Sequence, residues 1–140
     1  MKKILITHFL IYLFCIDTEA QFNYVDEFSV NFKIDNVELG VDEDTVNVSG
    51  KSADNKWNVK MTWKFTNLFG TDGSGEYTAI AWAQDGENFL QTTVRGIWKR
   101  NGEVFDVKHF ENGTDGNQLL TTGTFDFVEN AYNCVVRVIE

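Results

Sequence analysis

Trp57-Asn58-Val59-Lys60-Met61-Thr62-Trp63-Lys64-Phe65 is the stretch on which the fold turns. Its odd positions, Trp57, Val59, Met61, Trp63 and Phe65, are large and apolar, and its even positions are polar. A strand sends successive side chains to opposite faces, so this period of two predicts one strand with a wet face and an aromatic-rich dry face. Upstream, Phe28, Val30, Phe32 and Ile34 alternate with Ser29, Asn31, Lys33 and Asp35 in a second strand of the same kind. Between the two, Asp35-Asn36 reads as a turn and Val37 to Val41 as a short returning strand. Asp42-Glu43-Asp44 reads as a charged tip, Thr45 to Val48 as a β-prone run, and Ser49 to Lys56 as loop.

Downstream, turn signals recur at Gly70-Thr71-Asp72-Gly73, Asp85-Gly86, Asn101-Gly102 and Gly113-Thr114-Asp115-Gly116, with Asn130 as the last. They leave strands over Glu76 to Ala83, Phe89 to Trp98, Glu103 to Glu111, Gln118 to Val128 and Asn133 to Ile139. With no proline in the chain, Gly, Asn and Asp must supply the turns. No apolar pattern of period 3.6 is long enough for a core helix. The prediction is an all-β, antiparallel up-and-down meander of about eight strands, and closure into a small barrel disposes of its edges. A barrel of that size is either filled by side chains or holds one small ligand.

The amino terminus has the parts of a secretory signal: Lys2 and Lys3, an apolar run from Ile4 to Ile16, and Thr18-Glu19-Ala20 as a cleavage site before Gln21. The expected organisation is a signal peptide over residues 1–20 and a single β-barrel domain over 21–140, secreted, with no membrane span after cleavage. Two lysines and two acids in the leader cancel, so the mature chain keeps the net charge of -9. That charge argues against nucleic acid as a partner and leaves cations, basic proteins or neutral ligands. Cys15 and His8 leave with the leader. Cys134 then stands alone, without an internal disulfide, in phase with Val136 and Val138 as a buried thiol. Asn47-Val48-Ser49 and Asn112-Gly113-Thr114 are glycosylation sequons placed at loops or strand ends.

Candidate chemistry is sparse. On the strand from Glu103 to Glu111, Phe105, Val107, His109 and Glu111 share a face, so a carboxylate beside an imidazole would sit at the barrel mouth. Glu76, at another strand start, is a candidate third member. The competing role for His109 is structural. No Gly-x-Ser-x-Gly occurs, and with His8 in the leader no His-rich metal site forms. The sequence implies no cofactor and no dedicated metal. The acids Asp42-Glu43-Asp44, with Asp35 and Glu38, are either a solvated tip or a weak calcium or cation site. Trp57, Met61, Trp63, Phe105 and His109 are the expected lining of a ligand site. Trp82 and Trp98 are expected as a second aromatic cluster.

The residues Phe65, Gly73-Ser74-Gly75-Glu76-Tyr77, Asp85-Gly86, Phe89, Gly96, Gly102, Phe105 and His109 form a pattern covering about a third of the chain. In it the chain resembles a bacterial domain family of unknown function that shares the allene oxide cyclase-type barrel. The resemblance implies a small closed barrel. The plant cyclases of that type are isomerases of an oxylipin epoxide, and the chain departs from them in lacking proline. Two functions follow as expectations. One is a secreted barrel without catalytic machinery that binds a small apolar ligand or serves as an extracellular matrix component. The alternative is a cyclase- or isomerase-type enzyme using His109, Glu111 and Glu76.

Overall fold

The computed structural model describes residues 22–140. The signal region over residues 1–20, its cleavage before Gln21, Cys15 and His8 lie outside the described residues. Eight antiparallel strands follow one another around a closed barrel: β1 Tyr24–Glu38, β2 Glu43–Lys51, β3 Asn58–Thr66, β4 Ser74–Asp85, β5 Asn88–Asn101, β6 Val104–Gly113, β7 Gln118–Asp126 and β8 Ala131–Ile139. β1 closes the ring against β8, pairing Phe28 with Val136, Val30 with Cys134 and Phe32 with Tyr132. No strand edge is left open, as the meander requires. Among the described residues no helix is long and apolar enough to cross a membrane.

The alternation that predicts the strands also orients them. Val59, Met61, Trp63 and Phe65 face inward from β3, and Val30, Phe32 and Ile34 from β1. The turns use positive φ where the sequence signals them, as at Gly86 (φ 58) and Gly102 (φ 63), where a residue with a Cβ would be strained. Asn130 (φ 56) does the same between β7 and β8.

Three expectations need correction. Asp35-Asn36 is no turn. β1 runs on to Glu38, and its register against β2 shifts between Ile34 and Asn36. The extra residue is absorbed by a bulge, which reverses the inward phase from even to odd positions and aims Val37 at the barrel interior opposite Val46. The loop expected at Ser49 is the second half of β2, because Ser49 and Gly50 find partners on both sides, in Lys33 and Phe32 and in Lys60 and Val59. Asn47 therefore sits mid-strand rather than at a strand end. Trp82 and Trp98 do not cluster. Trp82 is out of phase with the inward Tyr77, Ala79 and Ala81 and meets Phe89 outside, while Trp98 packs on Phe105 within.

The middle of the barrel is filled. Trp63 has no exposure and its ring lies 5.0–5.2 Å from those of Tyr77, His109, Phe125 and Tyr132. Room for these rings comes from glycines on the adjacent strands. A Cβ on Gly96 would lie 2.6 Å from the Tyr77 ring, and one on Gly123 would lie 2.7 Å from the Tyr132 ring. Large side chains on some strands are thus matched by glycine or alanine on others, which is how a small barrel reaches interior packing density.

Candidate functional site

Two features inside the barrel can carry function, and they lie at different heights. The first is an apolar cavity of about 400 Å³ at the end that carries the β1–β2, β3–β4, β5–β6 and β7–β8 connections. Its wall is Val37, Leu39, Asp44, Val46, Phe65, Trp98, Phe105 and Phe127. The bulge in β1 supplies Val37. Phe65 is the last inward residue of β3, and Trp98 is held in place by its Nε1–H donating to the Thr66 carbonyl at 3.0 Å. Phe127 and Phe105 meet edge to face at 5.3 Å. Around the opening the connections carry exposed apolar side chains, Leu39, Val41, Leu68, Phe69 and Val128. The volume is within the range of about 300–1,000 Å³ common to small-molecule sites, near its lower bound.

The second feature is a chain of polar groups buried among the core aromatics. The Tyr77 hydroxyl lies 2.7 Å from His109 Nδ1, His109 Nε2 lies 2.9 Å from Glu111 Oε1, and the Thr121 hydroxyl donates to the same oxygen at 2.8 Å. Burial above all, and then the charges of Glu111 and Cys134, push the Tyr77 phenol upward, so it keeps its proton and donates to Nδ1. His109 Nε2 then carries the ring proton toward the carboxylate. Every polar atom of the imidazole is satisfied, the condition for burying it at 3% exposure. Two neighbours are not so placed: Trp63 Nε1 and the Tyr132 hydroxyl are buried without a hydrogen-bond partner among the described residues. Cys134 lies beside that hydroxyl without meeting hydrogen-bond geometry, and burial pushes its thiol up to about 12.

His109 and Glu111 are brought together as the alternation on β6 predicts, but His109 is inside the barrel, not at its mouth. Glu76 does not join them. It is exposed on the outer face because it neighbours the inward Tyr77, and Tyr77 takes the place expected for it. Of the expected ligand lining, only Phe105 is in the cavity wall. Trp63 and His109 lie in the packed core behind it, and Met61 is half-buried against that core nearer the other end. Trp57 precedes β3 at that far end, where its amide is bound by the Ser52 hydroxyl at 3.0 Å. The clustered acids part company. Asp42 is exposed, Glu43 faces out and pairs with Lys64 at 2.6 Å, and Asp44 faces in. Among the described residues no three His, Cys, Asp or Glu side chains gather into a metal-holding group. Both sequons face outward: Asn112 is exposed, while Asn47 is half-buried and accepts from Thr62 at 2.8 Å.

Residues missed at the sequence level were available in phase. Asp44 precedes Val46 and Val48 by two and four, and Tyr77 precedes Ala79 and Ala81 in the same way. Compared with protein-family profiles, with curated proteins and with solved structures, the chain matches none.

Proposed function

We propose that the protein is a secreted, non-catalytic carrier of a small apolar ligand held in the cavity between Val37, Phe65, Trp98, Phe105 and Phe127. The observation that carries this reading is the cavity wall itself, which is aromatic and aliphatic apart from one carboxylate. Burying an apolar ligand there contributes about 25 cal/mol per Å² of surface removed from water. Between carrier and matrix component, a formed cavity favours the carrier. Exposed Asn112 is the sequon better placed for a glycan in the secreted protein. Loss of mass on glycosidase treatment should map there rather than to Asn47.

The test is calorimetric titration with octan-1-ol. Saturable 1:1 binding is expected, and Val37→Trp, which fills the cavity from a rim position, should weaken it at least tenfold. Binding undiminished in Val37→Trp would place the ligand elsewhere.

An isomerase of the cyclase kind is the second reading, favoured by the Tyr77–His109–Glu111 contacts. It is the weaker because none of those three residues lines the cavity. Phe65, which does, stacks on Trp63, and Trp63 in turn stands against His109. Turnover of any candidate epoxide that survives His109→Gln unchanged would remove it.

A further inference from the structure

We infer that the cavity selects ligands with a protonated amine, and that Asp44 is the residue that selects them; this rests on the carrier reading above. Asp44 shares the inward phase of β2 with Val46 and Val48 and lies opposite Phe65 in the ladder. Among the described residues it is the sole ionisable group in the cavity wall. One carboxylate oxygen, Oδ1, accepts the Gly40 amide at 3.0 Å, which braces the β1–β2 connection. Among the described residues its other oxygen has no side-chain or backbone donor, and no Lys, Arg or His lies within ion-pair distance of either. The nearby cations are committed outside. Lys64 is held by Glu43 on the outer face, and Arg100 directs its Nε to the Gly102 carbonyl at 3.1 Å.

Asp44 is half-buried and its bond to Gly40 is open to solvent, so its carboxylate stands at the rim of the apolar pocket and is hydrated until a ligand covers it. The bracing of Gly40 explains an acceptor at this position, but a neutral Asn would serve that purpose as well. What the negative charge adds is affinity for a cation that arrives with an apolar body. The wall suits that cation twice, since Phe65, Trp98, Phe105 and Phe127 present ring faces and edges to the same space and Asp44 presents the counter-charge. An alkyl- or arylammonium of modest size meets both conditions. A fatty acid meets only the first and is repelled by Asp44. The chain's net charge of -9 works in the same direction, raising the local concentration of cationic ligands and lowering that of anionic ones.

The experiment titrates the full barrel at neutral pH with octylammonium, octan-1-ol and octanoate, which share one apolar body and differ in charge. Octylammonium should bind at least tenfold tighter than octan-1-ol, and octanoate at least tenfold weaker. Asp44→Asn keeps an oxygen for the Gly40 amide while removing the charge. It should bring the ammonium to within about threefold of the alcohol, and saturable 1:1 binding of the alcohol to the variant reports that the cavity is intact. Octan-1-ol binding without preference for the ammonium, or a preference that persists in Asp44→Asn, would overturn the inference and leave the carrier reading standing. Absence of binding by all three would overturn both.

Discussion

The middle of the barrel and its open end are lined by the same kinds of residue, yet one is solid and the other hollow. In the middle, Trp63, Phe125 and Tyr132 are buried to 1% exposure or less, and each ring is met by another ring or by a glycine. At the end, Phe65, Trp98, Phe105 and Phe127 stand around a space that no side chain of the described residues fills. The difference is one of partners rather than of hydrophobicity. Trp63 has five aromatic neighbours, Phe65 beside it on β3 and four reaching in from β4, β6, β7 and β8. The cavity is faced from β1, β2 and their connection by Val37, Leu39, Val46 and a carboxylate, which are too short to reach the opposite rings. A packed interior holds the fold, and an under-filled one leaves a place for something else.

That contrast can be broken first at Trp63. Replacing it by alanine removes the hub of the packed layer and should cost about 3–5 kcal/mol, as large-to-small core changes do. Phe127→Ala, in the hollow end, should cost less than half as much, because its ring already faces open space. Equal losses in urea melts would erase the distinction. Next comes Gly96→Ala. Its new methyl would clash with the Lys108 backbone carbonyl and fall 2.6 Å from both the Tyr77 ring and the His109 Cβ, and the overpacking should cost about 1–3 kcal/mol or more. An unchanged melting temperature would show that the middle of the barrel yields to an added methyl and is not close-packed.

Alkaline pH sharpens the comparison without a mutation. The packed layer holds three acids, Cys134, Tyr77 and Tyr132, all pushed upward mainly by burial. Each is neutral when protonated and keeps its proton longer in the folded state. Their contribution is therefore complete below the unfolded values and is lost as pH rises through the folded ones. For Cys134 the window runs from 9.0 to about 12. Stability should fall there by about 1.4 kcal/mol per pH unit for each group titrating in the unfolded chain but not in the folded one. Cys134→Ala should flatten the start of that decline. A stability curve level to pH 11 would contradict the burial of all three.

The smallest effects separate two tyrosines of equal burial. Tyr77→Phe removes the donor to His109 Nδ1 and should cost about 1–2 kcal/mol. Tyr132→Phe deletes a hydroxyl that has no partner, so it should be neutral or stabilising by up to about 1 kcal/mol. A loss at Tyr132 as large as that at Tyr77 would mean that its hydroxyl is satisfied, for instance by the neighbouring Cys134.

Most of the fold was legible because it rests on period two and on turn residues with a steric reason to be there. Asp85-Gly86 and Asn101-Gly102 announce their hairpins, and β3 and β6 declare their inward faces outright. Asp35-Asn36 misled because a bulge uses the same polar, flexible residues as a turn, and only the partner strand decides between them. The site was legible in pieces. His109 and Glu111 are on one strand and in phase, so their meeting follows from sequence. Tyr77 and Thr121 come from β4 and β7, and which of their neighbours faces them depends on register across the sheet. The cavity was the least legible, because it is made by what fails to meet. No pattern within a single strand says that Val37 is too short to touch Phe105.

The ladder between β1 and β8 has a consequence for how that cavity comes to exist. Every other neighbouring pair is joined by a short connection and can zip up locally. The seam that brings Phe28 to Val136 joins opposite ends of the domain, and such distant contacts form late and slowly. No hairpin or sheet fragment encloses the cavity, whose wall draws on β1, β2, β3, β5 and β6, on the β1–β2 connection and on the residue after β7. The pocket belongs to no segment of the chain and arrives all at once with the last seam. A ligand held there recognises only the finished ring. It therefore acts as a latch on closure, stabilising the closed ring by RT ln(1 + c/Kd) at free ligand concentration c, more strongly the more ligand is present.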